Sequence, residues 1–151
     1  MLIASQVMTK QFLTLTPEMS VEELARLLLR EDVTGAIIVD KKGNLLGVVT
    51  EGDLIAKEKN LHLPTVVSLF DAAIYIETSE IFKSELHKMV ATKVADIFTS
   101  DPVTIDLTST LADIATLMSE KKIHFLPVVD GKRVEGVVGR REVLRALAEG
   151  S

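Results

Sequence analysis

The sequence predicts an α/β (α+β) fold in which two β-α-β-β-α units pack with pseudo-two-fold symmetry. Three observations carry that prediction. The first is an internal repeat. Val7-Met8-Thr9, Phe12-Leu13-Thr14-Leu15, a Leu-rich run, Ile37-Ile38-Val39-Asp40 and Gly47-Val48-Val49-Thr50-Glu51-Gly52-Asp53 recur in the same order. Their counterparts are Ile97-Phe98-Thr99, Pro102-Val103-Thr104-Ile105, a second helical run, Pro127-Val128-Val129-Asp130 and Gly136-Val137-Val138-Gly139-Arg140-Arg141-Glu142. The second is that each copy passes from helical spacing of its apolar residues to short continuous apolar runs bounded by turn residues. The third is composition, 47% apolar and 26% charged with only 4% aromatic, which calls for an aliphatic core. In a chain of 151 residues each copy alone would bury a marginal fraction of its surface. The copies are therefore expected to pack together, with clefts between them.

In the first unit, Ser20-Val21-Glu22-Glu23 fits a capping box and opens a helix over about Val21 to Glu31. Val21, Leu24, Ala25 and Leu28 share one face, while Glu22, Glu23, Arg26 and Arg30 turn away from it. The runs Ala36–Val39 and Leu45–Val49 read as buried strands joined by the hairpin composition Asp40-Lys41-Lys42-Gly43-Asn44. A short helix begins near Glu51. The second unit repeats this order. Thr110-Leu111-Ala112-Asp113 starts its helix, with Leu111, Ile114, Ala115 and Met118 on the apolar face. Leu126–Val129 and Val134–Val138 form its strands around Asp130-Gly131-Lys132-Arg133, and a last helix over about Arg140 to Ala148 carries Val143, Leu144 and Leu147 at helical spacing.

The units are thus expected over residues 1–57 and 94–151, joined by a partly helical connecting segment over 58–93. That segment is not low in complexity: Val66, Val67, Leu69, Phe70, Ile74 and Ile76 precede an amphipathic stretch of Phe82, Leu86, Met89 and Val90. Such apolar surface packs either on the chain's own core or in a homodimer contact.

No stretch approaches the roughly 20 apolar residues needed to cross a bilayer, so no membrane association is expected. Cytoplasmic residence is the default expectation. With no cysteine, disulfides, thiolate metal sites and cysteine nucleophiles are excluded. The net charge of −5 argues against nucleic acid as a partner. An enzyme is not expected either: His62, His87 and His124 lie far apart, and there is neither a Gly-x-Ser-x-Gly elbow nor a Walker-type loop.

The most informative heptad runs from Gly47 to Asp53, where a strand ends and a helix begins. Such a junction presents unpaired backbone N–H groups and the positive end of a helix dipole, which together attract phosphate. Thr50 adds a hydroxyl donor, and Asp53, one turn on, can accept from two ribose hydroxyls. Thr-x-x-Asp also resembles a capping box, so the same pair can simply hold the helix start. In the second copy Gly139 and Glu142 replace this pair. Arg140 and Arg141 there are either solvated or directed at a phosphate.

Both units resemble CBS (cystathionine β-synthase) domains, and the tandem resembles a Bateman module. The resemblance is carried by Val7-Met8-Thr9 with Leu13-Thr14-Leu15, by Phe125-Leu126-Pro127-Val128-Val129-Asp130 and by Gly47-x-x-Thr50-x-x-Asp53, and it spans all but the central segment. It implies a regulatory, energy-sensing module, a homodimer, with no required cofactor, that takes an adenosine-containing ligand between its units and relays occupancy to a protein partner. AMP, ADP or ATP is the implied ligand, with NAD or S-adenosylmethionine as further options. Phosphate contact then falls on Thr50 and the ribose on Asp53, beside Gly47 and Val48. The adenine is placed near Thr14, Leu15, Thr34, Gly35 and Ala36. His124, which precedes Phe125-Leu126-Pro127, is either a loop histidine or a phosphate contact. The departures at Gly139 and Glu142 put the second unit's own site in doubt. One good site and one altered cleft are therefore expected.

Overall fold

Alternation of buried and solvated side chains organises the chain into two small mixed sheets, each backed by helices. The computed structural model describes residues 1–56 and 92–149. In chain order the elements are α1 (Ala4–Val7), β1 (Thr14–Leu15), α2 (Val21–Glu31), β2 (Gly35–Val39), β3 (Leu45–Thr50) and α3, described over 51–56. After a 3-10 turn at Val94–Asp96 come β4 (Thr99–Ser100), β5 (Ile105–Asp106), α4 (Leu111–Lys121), β6 (Phe125–Asp130), β7 (Arg133–Gly139) and α5 (Arg140–Glu149). Most of the segment expected over 58–93, including Phe70 and Phe82, lies outside the described residues.

The strands and helices stand where the repeat predicts them. The Ser20 hydroxyl accepts from the Glu23 N–H at 3.1 Å, and Thr110 does the same for Asp113 at 3.1 Å, so each long helix opens on a side-chain cap. Each closes in the left-handed region, at Asp32 (φ 53°) and Lys122 (φ 54°). The first hairpin turns at Gly43 and the second at Gly131, both with positive φ, which glycine adopts at little cost. In β1-β2-β3 and in β5-β6-β7 the first pair is parallel and the second antiparallel. Both antiparallel pairs shift register at the same place, between Ile38 and Val39 and between Val128 and Val129. The repeat extends to its irregularities.

Two helical faces differ from expectation. Ala115 is exposed, and α4 is buried instead through Ile114 and Met118, with Leu111 and Leu117 half-buried beside them. On α5, Leu144 and Leu147 are each 64% exposed, whereas Val143 and Ala146 pack on the core. Helical spacing set a stripe in each case, but the sheet's position decided which edge of the stripe is covered.

One arrangement has no sign in the sequence: the units exchange their leading arms. Ala4 and Val7 of α1 are buried in the second unit's core with Ile105, Ile114, Leu126 and Val138. Reciprocally, Val94 is buried in the first unit's core with Leu24, Ile38 and Val49. Strand β4 pairs antiparallel with β3, extending the first sheet to four strands, while Thr9 bridges Val137 on β7, each donating to the other's carbonyl oxygen at 2.9 and 3.0 Å. Gly47 and Gly136 occupy equivalent places and admit the crossing arms. Phe98 and Thr99 lie over Gly47, and Met8 and Thr9 lie over Gly136. A third cluster, Ile37, Val48, Phe125 and Val137, joins the two sheets, and the Leu45 N–H donates to the Lys132 carbonyl oxygen at 3.0 Å between the hairpins.

Asp106 organises the turn before α4. Its Oδ1 accepts from the Thr108 hydroxyl at 2.8 Å and the Thr108 N–H at 2.9 Å. The Thr108 hydroxyl, then its N–H, lowers the Asp106 pKa below its ordinary 3.8, since both favour the ionised form. A depressed folded-state pKa gives stability that is present above the unfolded value and lost as the pH falls through the folded one. The stability difference between the native chain and Thr108→Ala is therefore expected to shrink as the pH falls below 3.8. Urea unfolding across an acid series measures it, and a difference independent of pH would count against this role for the carboxylate.

Candidate functional site

The end of β3 and the start of α3 are tied to the start of β2. The Thr50 N–H donates to Asp53 Oδ2 at 2.9 Å and its hydroxyl approaches the same oxygen at 3.4 Å. The Glu51 N–H donates to the Thr34 carbonyl oxygen at 2.8 Å, which holds Thr34 and Gly35 beside the helix start. The capping role open at the sequence level is thus present in the geometry. It engages one carboxylate oxygen of Asp53.

The second unit builds the same junction with different residues. The Gly139 N–H donates to Glu142 Oε1 at 2.8 Å, so the longer side chain reaches the same capping position. A Cβ at Gly139 would lie 3.2 Å from that oxygen and 3.3 Å from the His124 carbonyl oxygen. Glycine and glutamate therefore go together here, as threonine and aspartate do in the first unit: the longer acid takes up room that a hydroxyl-bearing side chain would need. Beside this junction stand the guanidinium groups of Arg140 and Arg141.

Both junctions line one cleft of about 1140 Å³ between the units. Of the residues expected at a site, the cleft brings together Thr34, Gly35, Val48, Thr50 and Asp53 from the first unit with His124, Arg140 and Arg141 from the second. Thr14, Leu15, Ala36 and Gly47 are not among its lining. Leu15 and Ala36 are buried in the first unit's core, because alternation along a strand sends Ala36 and Ile38 to the helix-covered face. Thr14 pairs with Ile37 on β1, and Gly47 lies beneath Phe98.

The cleft also holds residues that the motifs did not single out for it, among them Phe12, Asp32, Lys122, Phe125 and Arg145. Arg145 follows Arg141 at i+4, a spacing that puts both on one helix face. Lys122 closes α4 in the left-handed region and belongs to no motif. The Phe125 ring fills the space left by Gly35, where a Cβ would lie 3.0 Å from Phe125 Cδ2.

Charge divides across the cleft. Asp32, Glu51 and Asp53 stand on the first unit's side, and Lys122, Arg140, Arg141 and Arg145 on the second, together with Asp101 and Glu142. Among the described residues one ion pair crosses between the units, Arg141 to Asp32 at 3.9 Å, with both side chains largely exposed. Such a pair contributes at most about 1 kcal/mol. No group of three His, Cys, Asp or Glu among the described residues could hold a metal ion, and no described helix is long and apolar enough to cross a membrane.

Comparison with known proteins bears on this arrangement. The family model described as the CBS domain matches residues 4–60 and again 94–149. An uncharacterized protein of Methanocaldococcus jannaschii is 30% identical over 146 residues, covering 96% of this chain and 32% of that protein. The chloroplastic CBS domain-containing protein CBSX2 of Arabidopsis thaliana is 33% identical over 141 residues, covering 88% of this chain and 57% of that protein. The chain thus spans about a third of the length of the first relative and a little over half of the second. A crystal structure of CBSX2 in complex with AMP matches with a TM-score of 0.72 at 26% identity, covering 97% of this chain and 96% of that one.

Proposed function

The chain belongs to the CBS-domain family, and from that premise we propose that it is a regulatory module binding an adenosine-containing ligand, an adenine nucleotide first, in the cleft between its two units. One observation carries the reading. The phosphate-attracting start of α3 and the strand start at Thr34 and Gly35 open, with Asp53, into the same cleft as the cations of the second unit. The AMP bound by CBSX2, a relative of the same architecture, supports it.

In this reading Asp53 has one carboxylate oxygen for the helix start and one for a ribose hydroxyl, and the Thr50 hydroxyl meets phosphate. A ligand touching both walls favours one relative orientation of the units over another. It can shift that balance only by the difference in its affinity for the two. The role is regulatory and non-catalytic. A homodimer, a regulated protein partner and cytoplasmic residence belong to the same proposal. The exposed Leu144 and Leu147 support a contact outside the chain.

A second reading, a structural module with vestigial sites, is favoured by one observation: the Thr50 N–H and hydroxyl both already meet Asp53. Thermal unfolding with AMP, ADP, ATP, NAD and S-adenosylmethionine separates the two. A ligand at about 100 times its Kd should add about 2.7 kcal/mol to stability. If millimolar concentrations of all five leave the transition unmoved, the structural reading stands.

A further inference from the structure

We infer that two copies of this chain associate head to tail through the helical face that carries Leu29, Ile55, Leu144 and Leu147, the first unit of each copy lying against the second unit of the other. The inference rests on the homodimer of the proposed function and gives it a contact and an orientation. Leu29 is 83% exposed and Ile55 70%, with Leu144 and Leu147 at 64% each. Leu29, Ile55 and Leu144 all border the cleft between the units, so α2, α3 and α5 present apolar side chains on one face of the molecule. Large aliphatic side chains gathered in this way mark a contact surface, whereas single ones are ordinary.

Charge selects a second copy as the occupant and sets its orientation. Asp32 stands beside Leu29, and Glu51 shares a helix face with Ile55 at i+4. The arginines of α2 do not offset these acids, because Arg26 is paired with Glu22 and Arg30 with Glu31. On α5, Arg140, Arg141 and Arg145 surround Leu144 and outnumber Glu142 and Glu149, of which Glu142 is engaged at the Gly139 N–H. Asp101 lies off the helices, on the link from β4 to β5. A two-fold axis that sets each α5 on the α2 and α3 of the other copy encloses the aliphatic residues between opposite charges, and makes the same contact twice. The other two-fold arrangement sets arginine against arginine and acid against acid, and like charges opposed across an interface cost affinity. The pair of Arg141 with Asp32, at 3.9 Å and largely exposed, is loose enough to be exchanged for one between copies.

Sedimentation of the full chain should give the mass of a dimer, and Leu144→Glu should raise the dimer's Kd about tenfold or more. Leu144 is exposed, so the fold should persist, as circular dichroism would verify. The chain has no cysteine, so single introduced ones report the orientation. Ile55→Cys and Leu144→Cys chains, mixed, left to exchange subunits and treated with a short bis-maleimide, should cross-link to each other, while neither should cross-link to itself. Cross-linking of each variant to itself alone would overturn the inference and leave the homodimer in place. A dimer that gives no cross-link, or that Leu144→Glu leaves intact, would do the same by putting the contact on another face. A monomer at millimolar concentration would remove both the inference and the homodimer, leaving this face to another part of the chain or to a different protein.

Discussion

Gly47→Ala is expected to destabilise the protein by about 3 kcal/mol, within the range for overpacking a close contact. A Cβ at this position would lie 2.6 Å from Phe98 Cδ2 and closer still to the Thr99 carbonyl oxygen. The second contact is decisive, because Thr99 belongs to β4 and is held in register with Val48. Relief therefore requires moving a strand and not merely rotating a ring. Gly136→Ala is the internal comparison. Its nearest neighbours are Met8 Sδ at 2.5 Å and Met8 Cγ at 2.8 Å, with the Thr9 carbonyl oxygen at 3.0 Å. A thioether can swing aside, so this substitution should cost about 1 kcal/mol less than its twin. Urea denaturation of both variants measures the pair. A Gly47→Ala protein within about 0.5 kcal/mol of the native one would show that the crossing arm is not held as described. The same measurement bears on the site, since Gly47 serves the arm crossing and should affect ligand affinity only through loss of folded protein.

Asp53→Ala should abolish ligand-dependent stabilisation, about 2.7 kcal/mol at 100 times Kd, and cost the unliganded protein about 1 kcal/mol besides. The second effect follows from the 2.9 Å bond between the Thr50 N–H and Asp53 Oδ2. Asp53→Asn separates the two. Its amide oxygen can still cap the helix, so unliganded stability should fall by less than about 0.5 kcal/mol. The other half of the group then becomes a donor, without charge, and affinity for any ribose-containing ligand should fall about tenfold or more. Should the asparagine variant bind adenosine ligands as the native chain does, Asp53 is a cap alone.

The repeat made the fold legible because strand periodicity, turn glycines and hydroxyl caps are local features that survive in each copy. The bounds of α2, the hairpins at Gly43 and Gly131 and the helix start at Thr50 are all set by residues adjacent in sequence. The arm exchange was not legible. A four-residue helix such as α1 has too little periodicity to announce its partner, and Val94 lies beyond the helical pattern altogether. The two arms cross in the space over Gly47 and Gly136, which a linear reading sees only as two glycines. In the cleft, Thr50, Asp53, Arg140 and Arg141 were legible because each pair lies within one copy of a contiguous motif. Ala36 and Leu15 were drawn toward the cleft by proximity in sequence, whereas strand alternation turns them inward. Lys122 and Arg145 lie outside any motif, and only the two opposed walls bring them to the cleft.

Because each half of the molecule finishes the other's core, neither has a complete native state to reach by itself. Heat should therefore melt the chain in one step, with calorimetric and van't Hoff enthalpies agreeing, and not as two successive domains. Folding should be correspondingly slow for its size, since Ala4 and Val7 must close a loop of about a hundred residues before their burial is rewarded. A chain crowded at high concentration has another way to satisfy the same sockets, by lending its arm to a neighbour. Entangled dimers that dissociate only through unfolding are the hazard this architecture carries.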